Sequence, residues 1–174
     1  SGNDTLSGTV GDDTFAGGAG ADTITGGIGA DFINGQSGDD ILNGQSGDDE
    51  LLGDSGNDTY LYFAGQGHDI IRENGSGSDR ILFGPGITFS DLTLTRITDD
   101  DLLIEVSEEA GGGAITIKLQ FRSSDAGYVE TLEFSDSSTV SLNSLVYTMN
   151  GTSGADNLHG IRYGGSPVDA IYGH

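Results

Sequence analysis

Cysteine and tryptophan do not occur in this 174-residue chain, proline occurs twice, and lysine and arginine together supply only six residues. Each scarcity excludes something. Without cysteine there is no disulfide framework, no thiolate metal site and no thiol nucleophile. With 28 acidic residues against six basic ones the formal net charge is −22, which opposes attraction to nucleic acid or to an anionic membrane. No apolar run approaches the ~18 residues of a membrane-spanning helix. Starting at Ser1, with neither a methionine nor an apolar leader, the chain reads as a piece excised from something longer. Its length suits one domain or two small ones, at ~100–200 residues per domain.

What is abundant is glycine, at 31 residues, and aspartate: the acids divide into 21 Asp and 7 Glu. Aspartate is a poor helix former and a good turn former, so the charge is set in turns. Composition alone would also suit a disordered acidic tail; the order of the residues argues against it. Aspartate recurs every nine residues at Asp4, Asp13, Asp22, Asp31, Asp40, Asp49 and Asp58. Two residues after each stands an apolar side chain: Leu6, Phe15, Ile24, Ile33, Leu42, Leu51 and Tyr60. Two residues before each stands Gly2, Gly11, Gly20, Gly29, Gly38, Gly47 or Gly56. A second glycine column keeps the same period at Gly8, Gly17, Gly26, Gly35, Gly44 and Gly53. Fixed-period repetition of this kind marks a solenoid.

The unit is G-x-x-G-x-D-x-U-x, with U apolar. Two glycines per nine are expected to give the turn positive φ and to let carbonyls converge on one point. One carboxylate per turn supplies a hard oxygen ligand, and calcium takes ~6–8 oxygens mixed from carboxylates and carbonyls. The x-U-x remainder predicts a three-residue strand with one side chain inward. Two units stacked as a right-handed coil make one turn, with two facing parallel sheets, so residues i and i+18 lie above one another. Asp4, Asp22, Asp40 and Asp58 then share one edge, and Asp13, Asp31 and Asp49 the other. An ion between each pair of vertical neighbours gives three sites and two, five in all. Residues 1–61 hold eleven Asp, one Glu and no Lys or Arg, a charge of −12. Five divalent cations would offset ten of those charges, where stacked carboxylates otherwise repel in a partly desolvated edge.

These residues resemble the RTX (repeats-in-toxin, haemolysin-type calcium-binding repeat) family of secreted bacterial proteins. The resemblance implies an all-β, right-handed parallel β-roll, export of the unfolded chain by type I secretion machinery, and folding outside the cell, where calcium is high. It implies that the seven repeat aspartates and the backbone of the Gly-containing turns are the ligands. Thr9, Gln36, Gln45 and Asp54 stand where the family has the second glycine of a doublet; since a carbonyl ligand does not depend on its side chain, small changes of geometry are expected there. Beyond residue 60 the pattern decays but keeps Gly67-His68-Asp69-Ile70-Ile71 and Gly77-Ser78-Asp79-Arg80-Ile81, at spacings of 11 and 10 residues. Asp69 and Asp79 are therefore candidate ligands for one or two more ions, against the plainer reading of turn carboxylates.

Residues 87–149 change character. Segments 92–97, 102–106, 115–119 and 129–134 are strand-like by alternation and β-branching. Asp99–Asp101 and Gly111–Gly113 read as hairpin turns between them, and 141–147 as a short helix. Such a flank is expected to cap the solenoid, whose end would otherwise expose an unpaired edge and an open core. The expected organisation is thus a β-roll over 1–83 (regular to 61, degenerate over 62–83), a β-rich capping segment over 84–149, and the start of a further array over 150–174. There Gly151, Gly154, Asp156 and Leu158 match all four columns, and Asp169 heads a weaker copy. The same order of nonapeptides and β-rich flank is similar to that of large RTX exoproteins, so neighbouring blocks are implied.

Other motifs carry less. Gly53-Asp54-Ser55-Gly56 spells the sequence around a serine-protease nucleophile, but the repeat explains every letter of it. His68, His159 and His174 have no zinc spacing. No catalytic residue is read from the sequence. The expected function is a non-enzymatic, calcium-dependent folding module of an extracellular protein. Two rivals stand beside it: an adhesive block recognising a glycan or cell surface through Phe121, Tyr128, Phe134 and Tyr147, and an accessory module of a secreted lipase, protease or polysaccharide epimerase.

Overall fold

The computed structural model describes residues 1–98, 100–118, 120, 128–142 and 157–159. Strands β1 (Thr5–Ser7), β2 (Thr14–Ala19), β3 (Thr23–Ile28), β4 (Phe32–Ser37), β5 (Ile41–Ser46), β6 (Glu50–Ser55) and β7 (Thr59–Tyr62) follow the regular repeats, one per nonapeptide. Strands β8 (His68–Arg72) and β9 (Asp79–Phe83) follow the degenerate ones. Successive strands alternate between two sheets, and strands one coil apart pair in parallel: Leu6 lies beside Ile24, Ile24 beside Leu42, Leu42 beside Tyr60 and Tyr60 beside Ile81. The other sheet repeats this with Phe15, Ile33, Leu51 and Ile71. This is a β-solenoid with two residues of core per coil. Ile24, Ile33, Leu42, Leu51, Tyr60, Ile71 and Ile81 are fully buried, while Leu6 and Phe15 at the first coil are only partly so.

Two features of the coils differ from the sequence-based expectation. The strands after β1 are mostly six residues long, not three. Pairing persists through the glycine turn, because the turns of stacked coils are superposable: Ala16 pairs with Asn34 and Gly18 with Gln36, on either side of a bend at Gly17. The second difference concerns the glycines. The column beginning Gly2 and Gly11 has positive φ throughout, as expected, but the column Gly8, Gly17, Gly26, Gly35, Gly44 and Gly53 does not. Its glycines answer to a shortage of space, described below.

The strands beyond the repeats continue both sheets. In the first sheet, β13 (Val129–Glu133) lies parallel to β9, with Leu132 beside Ile81, and β14 (Thr139–Ser141) closes that edge antiparallel to β13. In the second, β12 (Ala114–Lys118) lies parallel to β8, with Ile117 beside Ile71. There β11 (Leu102–Val106), β10 (Leu92–Arg96) and β15 (Asn157–His159) add antiparallel strands in turn. The four strands read from residues 87–149 are thus present within a residue of their expected limits, with the two expected hairpins joining β10 to β11 and β11 to β12. Phe83, stacked on Phe134 at 5.4 Å and met edge-on by Tyr62 at 6.1 Å, fills the core where the flank meets the coils. The helix expected over 141–147 falls, after Leu142, outside the described residues, as do Asp156 and Asp169.

Candidate metal centre

The solenoid stacks the repeat aspartates into two ladders. On one edge the backbone N–H of Asp4 donates to Oδ1 of Asp22 at 2.7 Å, Asp22 to Asp40 at 2.7 Å, and Asp40 to Asp58 at 2.8 Å. On the other, Asp13 donates to Asp31 at 2.8 Å and Asp31 to Asp49 at 2.8 Å. The degenerate turns prolong both: Asp49 N–H reaches Asp69 at 3.2 Å, and Asp58 N–H reaches Asp79 at 2.8 Å. The extra residues of those turns are looped out, so the ladder keeps its register where the nine-residue period fails. Asp79 N–H finally donates to Oε2 of Glu130 at 2.6 Å, across the bulge by which β13 joins β9. Glu130 thus ends the ladder, and no periodicity pointed to it.

Asp4 and Asp13 only donate to the ladders, but each aspartate from Asp22 and Asp31 onward spends one oxygen on this bond. The other is left over. Oδ2 of Asp22, Asp31, Asp40, Asp49 and Asp58 is buried with no hydrogen-bond partner. Burying a carboxylate oxygen without a partner is costly, and five repetitions of that cost point to a missing positive charge. The unusual glycine column surrounds these oxygens. A Cβ on Gly17, Gly26, Gly35, Gly44 or Gly53 would press into the carboxylate of Asp22, Asp31, Asp40, Asp49 or Asp58, five residues ahead. At Gly17 the same Cβ would lie 2.8 Å from the carbonyl oxygen of Gly35 in the next coil, and at Gly26 2.7 Å from that of Gly44. Each of these turns is therefore a small cradle with one orphaned carboxylate oxygen and no side chain on the glycine, and at Gly17 and Gly26 a neighbouring coil's carbonyl lines it as well. This donor set is hard and anionic, which suits calcium. The donors present fit the ion.

The other glycine column plays a different part. A Cβ on Gly20 or Gly29 would strike the carbonyl oxygen of Gly2 or Gly11 at 2.5 Å, and Gly38, Gly47 and Gly56 repeat the contact with Gly20, Gly29 and Gly38. These glycines combine positive φ with close stacking of coil on coil. Where the family's doublet is interrupted, Gln36, Gln45 and Asp54 adopt positive φ themselves, at 77°, 71° and 65°, beside 107° and 116° for Gly18 and Gly27, whereas Thr9 in the first coil does not. Outside the cradles a second, exposed ladder ties the turns: Asn3, Asp12, Asp39, Asp48 and Asn57 each accept a backbone N–H from the next coil at 2.8–3.0 Å.

Burial raises the carboxyl pKa values of five aspartates in the later coils, and neighbouring carboxylates raise them further. Asp40 and Asp49 are shifted upward, Asp58 to about 6, Asp79 to about 7 and Asp69 to about 8. The turn of residues 73–79 adds Glu73, almost fully buried and raised by the same desolvation to about 8. Its Oε1 accepts the Tyr60 hydroxyl hydrogen, while that hydroxyl accepts the Gly53 N–H at 2.7 Å. Glu73 stands in no column of the repeat, and nothing in the period marked it. Of the aromatic residues considered for ligand recognition, Phe134 is buried and Tyr128 half-buried; Phe121 and Tyr147 lie outside the described residues.

Coils of nine-residue units, stacked acids and glycine-walled oxygen cradles define a calcium-binding parallel β-roll. Residues 1–33 and 25–60 match the RTX calcium-binding nonapeptide repeat, and this stretch of the chain is an RTX repeat array. The chain is similar in fold to the solution structure of the R3 subunit of AlgE6, a mannuronan C5-epimerase from Azotobacter vinelandii. The TM-score is 0.53 at 22% identity, covering 95% of this chain and 94% of that one. At that identity the likeness is one of fold. No curated protein matches the chain.

Proposed function

We propose that the chain is a non-catalytic module of a secreted bacterial protein in which calcium binding and folding are a single equilibrium. The observation that carries this reading is the set of five buried Oδ2 atoms, on Asp22, Asp31, Asp40, Asp49 and Asp58, left without partners in the cradles. One ion per orphaned oxygen gives about five, with carbonyls of the glycine turns completing each shell; Asp69 and Asp79 extend the ladders toward one or two more. Extracellular modules bind calcium with dissociation constants of about 10⁻⁴–10⁻³ M. In a cytosol far poorer in calcium, the carboxylates repel and the chain stays extended, a form suited to type I export. Outside, at ten times the dissociation constant, each ion contributes about 1.4 kcal/mol, or about 7 for five, comparable to the stability of a whole domain. The test is a calcium titration of the chelated protein followed by far-UV circular dichroism and hydrodynamic radius, with magnesium as control. A cooperative gain of sheet signal near millimolar calcium is expected, and none with magnesium. A chelated chain that keeps its sheet signal and its radius sinks the reading.

A second reading places the module in a polysaccharide-modifying enzyme whose catalytic domain lies elsewhere in the polypeptide. It is favoured by the fold likeness to the epimerase subunit, which runs through the β-rich flank as well as the repeats. Binding of uronate polysaccharides on a glycan array under saturating calcium separates it from a plain folding module.

A further inference from the structure

The cradle at Gly53 differs from the others in what the next coil offers it. At Gly17 and Gly26 the next coil brings a backbone carbonyl, of Gly35 or Gly44. At Gly53 the next coil is the longer turn of residues 73–79, and a Cβ there would meet Glu73 Oε1 at 2.5 Å in addition to Asp58 Oδ2. The next coil thus brings a carboxylate to this cradle. Asp58, Glu73 and Asp79 each bring one carboxylate oxygen to within 4.8 Å of the others, and all three residues are buried. Two of their oxygens, Asp58 Oδ2 and Glu73 Oε2, have no hydrogen-bond partner. The Tyr60 hydroxyl, itself anchored by Gly53 N–H, holds the Glu73 side chain in place through Oε1 and leaves Oε2 free.

We propose that Glu73 is a calcium ligand, which makes the Asp58 cradle a three-carboxylate site at the seam between the regular coils and the β-rich flank. The inference rests on the calcium reading above and adds to it a ligand outside the repeat and an order of filling. Affinity in oxygen-ligand sites rises with the number of charged ligands and with their rigidity. A site with three buried carboxylates, one of them pinned by a tyrosine, binds more tightly than cradles built from one orphaned aspartate and carbonyls. It fills first. Because Asp58 and Asp79 belong to adjacent coils, the first ion joins the last regular coil to the degenerate one.

Calorimetric titration of the full chain, starting from chelated protein, tests this with Glu73→Gln alongside wild type. The expected wild-type isotherm has one ion in a class about tenfold or more tighter than the rest. In E73Q that class weakens into the others, while the sheet signal at saturating calcium is retained. A wild-type isotherm without a tight class, or an E73Q isotherm matching wild type, overturns the role of Glu73 and leaves the calcium reading standing. A wild type that binds no calcium overturns both. Should E73Q fail to fold, terbium supplies an independent readout, because a lanthanide near a tyrosine is excited through it. Emission sensitised by tyrosine is expected to rise over the first equivalent of terbium and to be largely lost in Tyr60→Phe. A rise confined to the last equivalents, or one indifferent to Tyr60, refutes the order of filling.

Discussion

Replacing Gly44 by alanine separates a metal cradle from a merely well-packed turn. An added Cβ would press against Asp49 Oδ2 and lie 2.5 Å from its Cγ and 2.7 Å from its Cβ. Gly44 does not have positive φ, so the substitution brings no backbone strain, and its effect is to push the Asp49 carboxylate out of its place. If that place holds an ion, one ion is lost. A ligand that binds only the folded state stabilises it by RT ln(1 + [L]/Kd), about 1.4 kcal/mol at ten times Kd and about 2.7 kcal/mol at a hundred times. The stability deficit of Gly44→Ala should therefore widen by about 1.4 kcal/mol for each tenfold rise in free calcium, whereas a packing defect gives a fixed deficit. Urea unfolding in calcium buffers spanning two decades measures the slope. Gly18→Gln is the control: nothing lies within 4 Å of its Cβ position, and the chain itself places Gln36 and Gln45 at that point of the repeat with positive φ. It should cost about 1 kcal/mol, the left-handed penalty, at every calcium concentration. Lines for wild type and Gly44→Ala that run parallel across the series would refute the cradle.

Other consequences follow from the same geometry. Asp58, Asp79, Asp69 and Glu73 have folded pKa values of about 6, 7, 8 and 8 against ordinary values of 3.8 to 4.5. The calcium-free fold thus holds protons that the unfolded chain releases, its stability is greatest below pH ~4, and it is lost as pH rises through 6–8. Calcium binding at pH 6–7 should accordingly release protons, and calorimetry in buffers of different ionisation enthalpy counts them; none released at pH 6 contradicts the shifts. Asp40→Asn keeps an oxygen for the Asp22 N–H but removes a buried charge facing Asp22 and Asp39. It should stabilise the chelated chain and destabilise the calcium-saturated one, so the stability curves of mutant and wild type should cross in a calcium series. Glu130→Ala strands the Asp79 N–H and should cost about 1–3 kcal/mol, mostly recovered by Glu130→Gln, with no change in the number of ions by calorimetry.

Much of this arrangement was legible because its cause is periodic. A carboxylate every nine residues on an eighteen-residue coil must stack, and an apolar residue two positions later must point inward. Ile24, Leu42 and Tyr60 do so because strand alternation turns that position toward the core, while Ile41, next to Leu42, is turned to the outside. The flank was legible through alternation, which fixed β10 to β13 within a residue. What the pattern could not give is whatever depends on contacts across the seam. Glu73 matters because a longer turn folds its side chain over Gly53, and Glu130 because a bulge in β13 turns it toward Asp79. Neither belongs to a column. The two glycine columns look alike in sequence and differ in purpose, since one is required by φ and the other by the carboxylate lying over it. That distinction exists only once coil is stacked on coil.

The source of the neutralising charge follows from where the basic residues stand. Residues 1–61 contain no lysine, arginine or histidine. The first guanidinium, Arg72, pairs with Glu50 on the outer face of the second sheet, away from the cradles. Nor could a side chain reach the cradles from their walls, because the wall position is a glycine whose Cβ would already collide with the carboxylate. Among the described residues no side chain answers the orphaned oxygens, and on the function proposed above the positive charge comes from solution. Protons serve where the medium is acid enough to titrate groups raised to about 6–8, and divalent cations serve above that. At neutral pH the second route is the one available to the regular cradles, and hard oxygen donors in a flexible, mixed shell favour calcium over magnesium, which demands a tighter octahedron. On the function proposed above, a solenoid built with its counter-charge left out folds in response to the medium it meets, and the five orphaned oxygens select calcium from that medium.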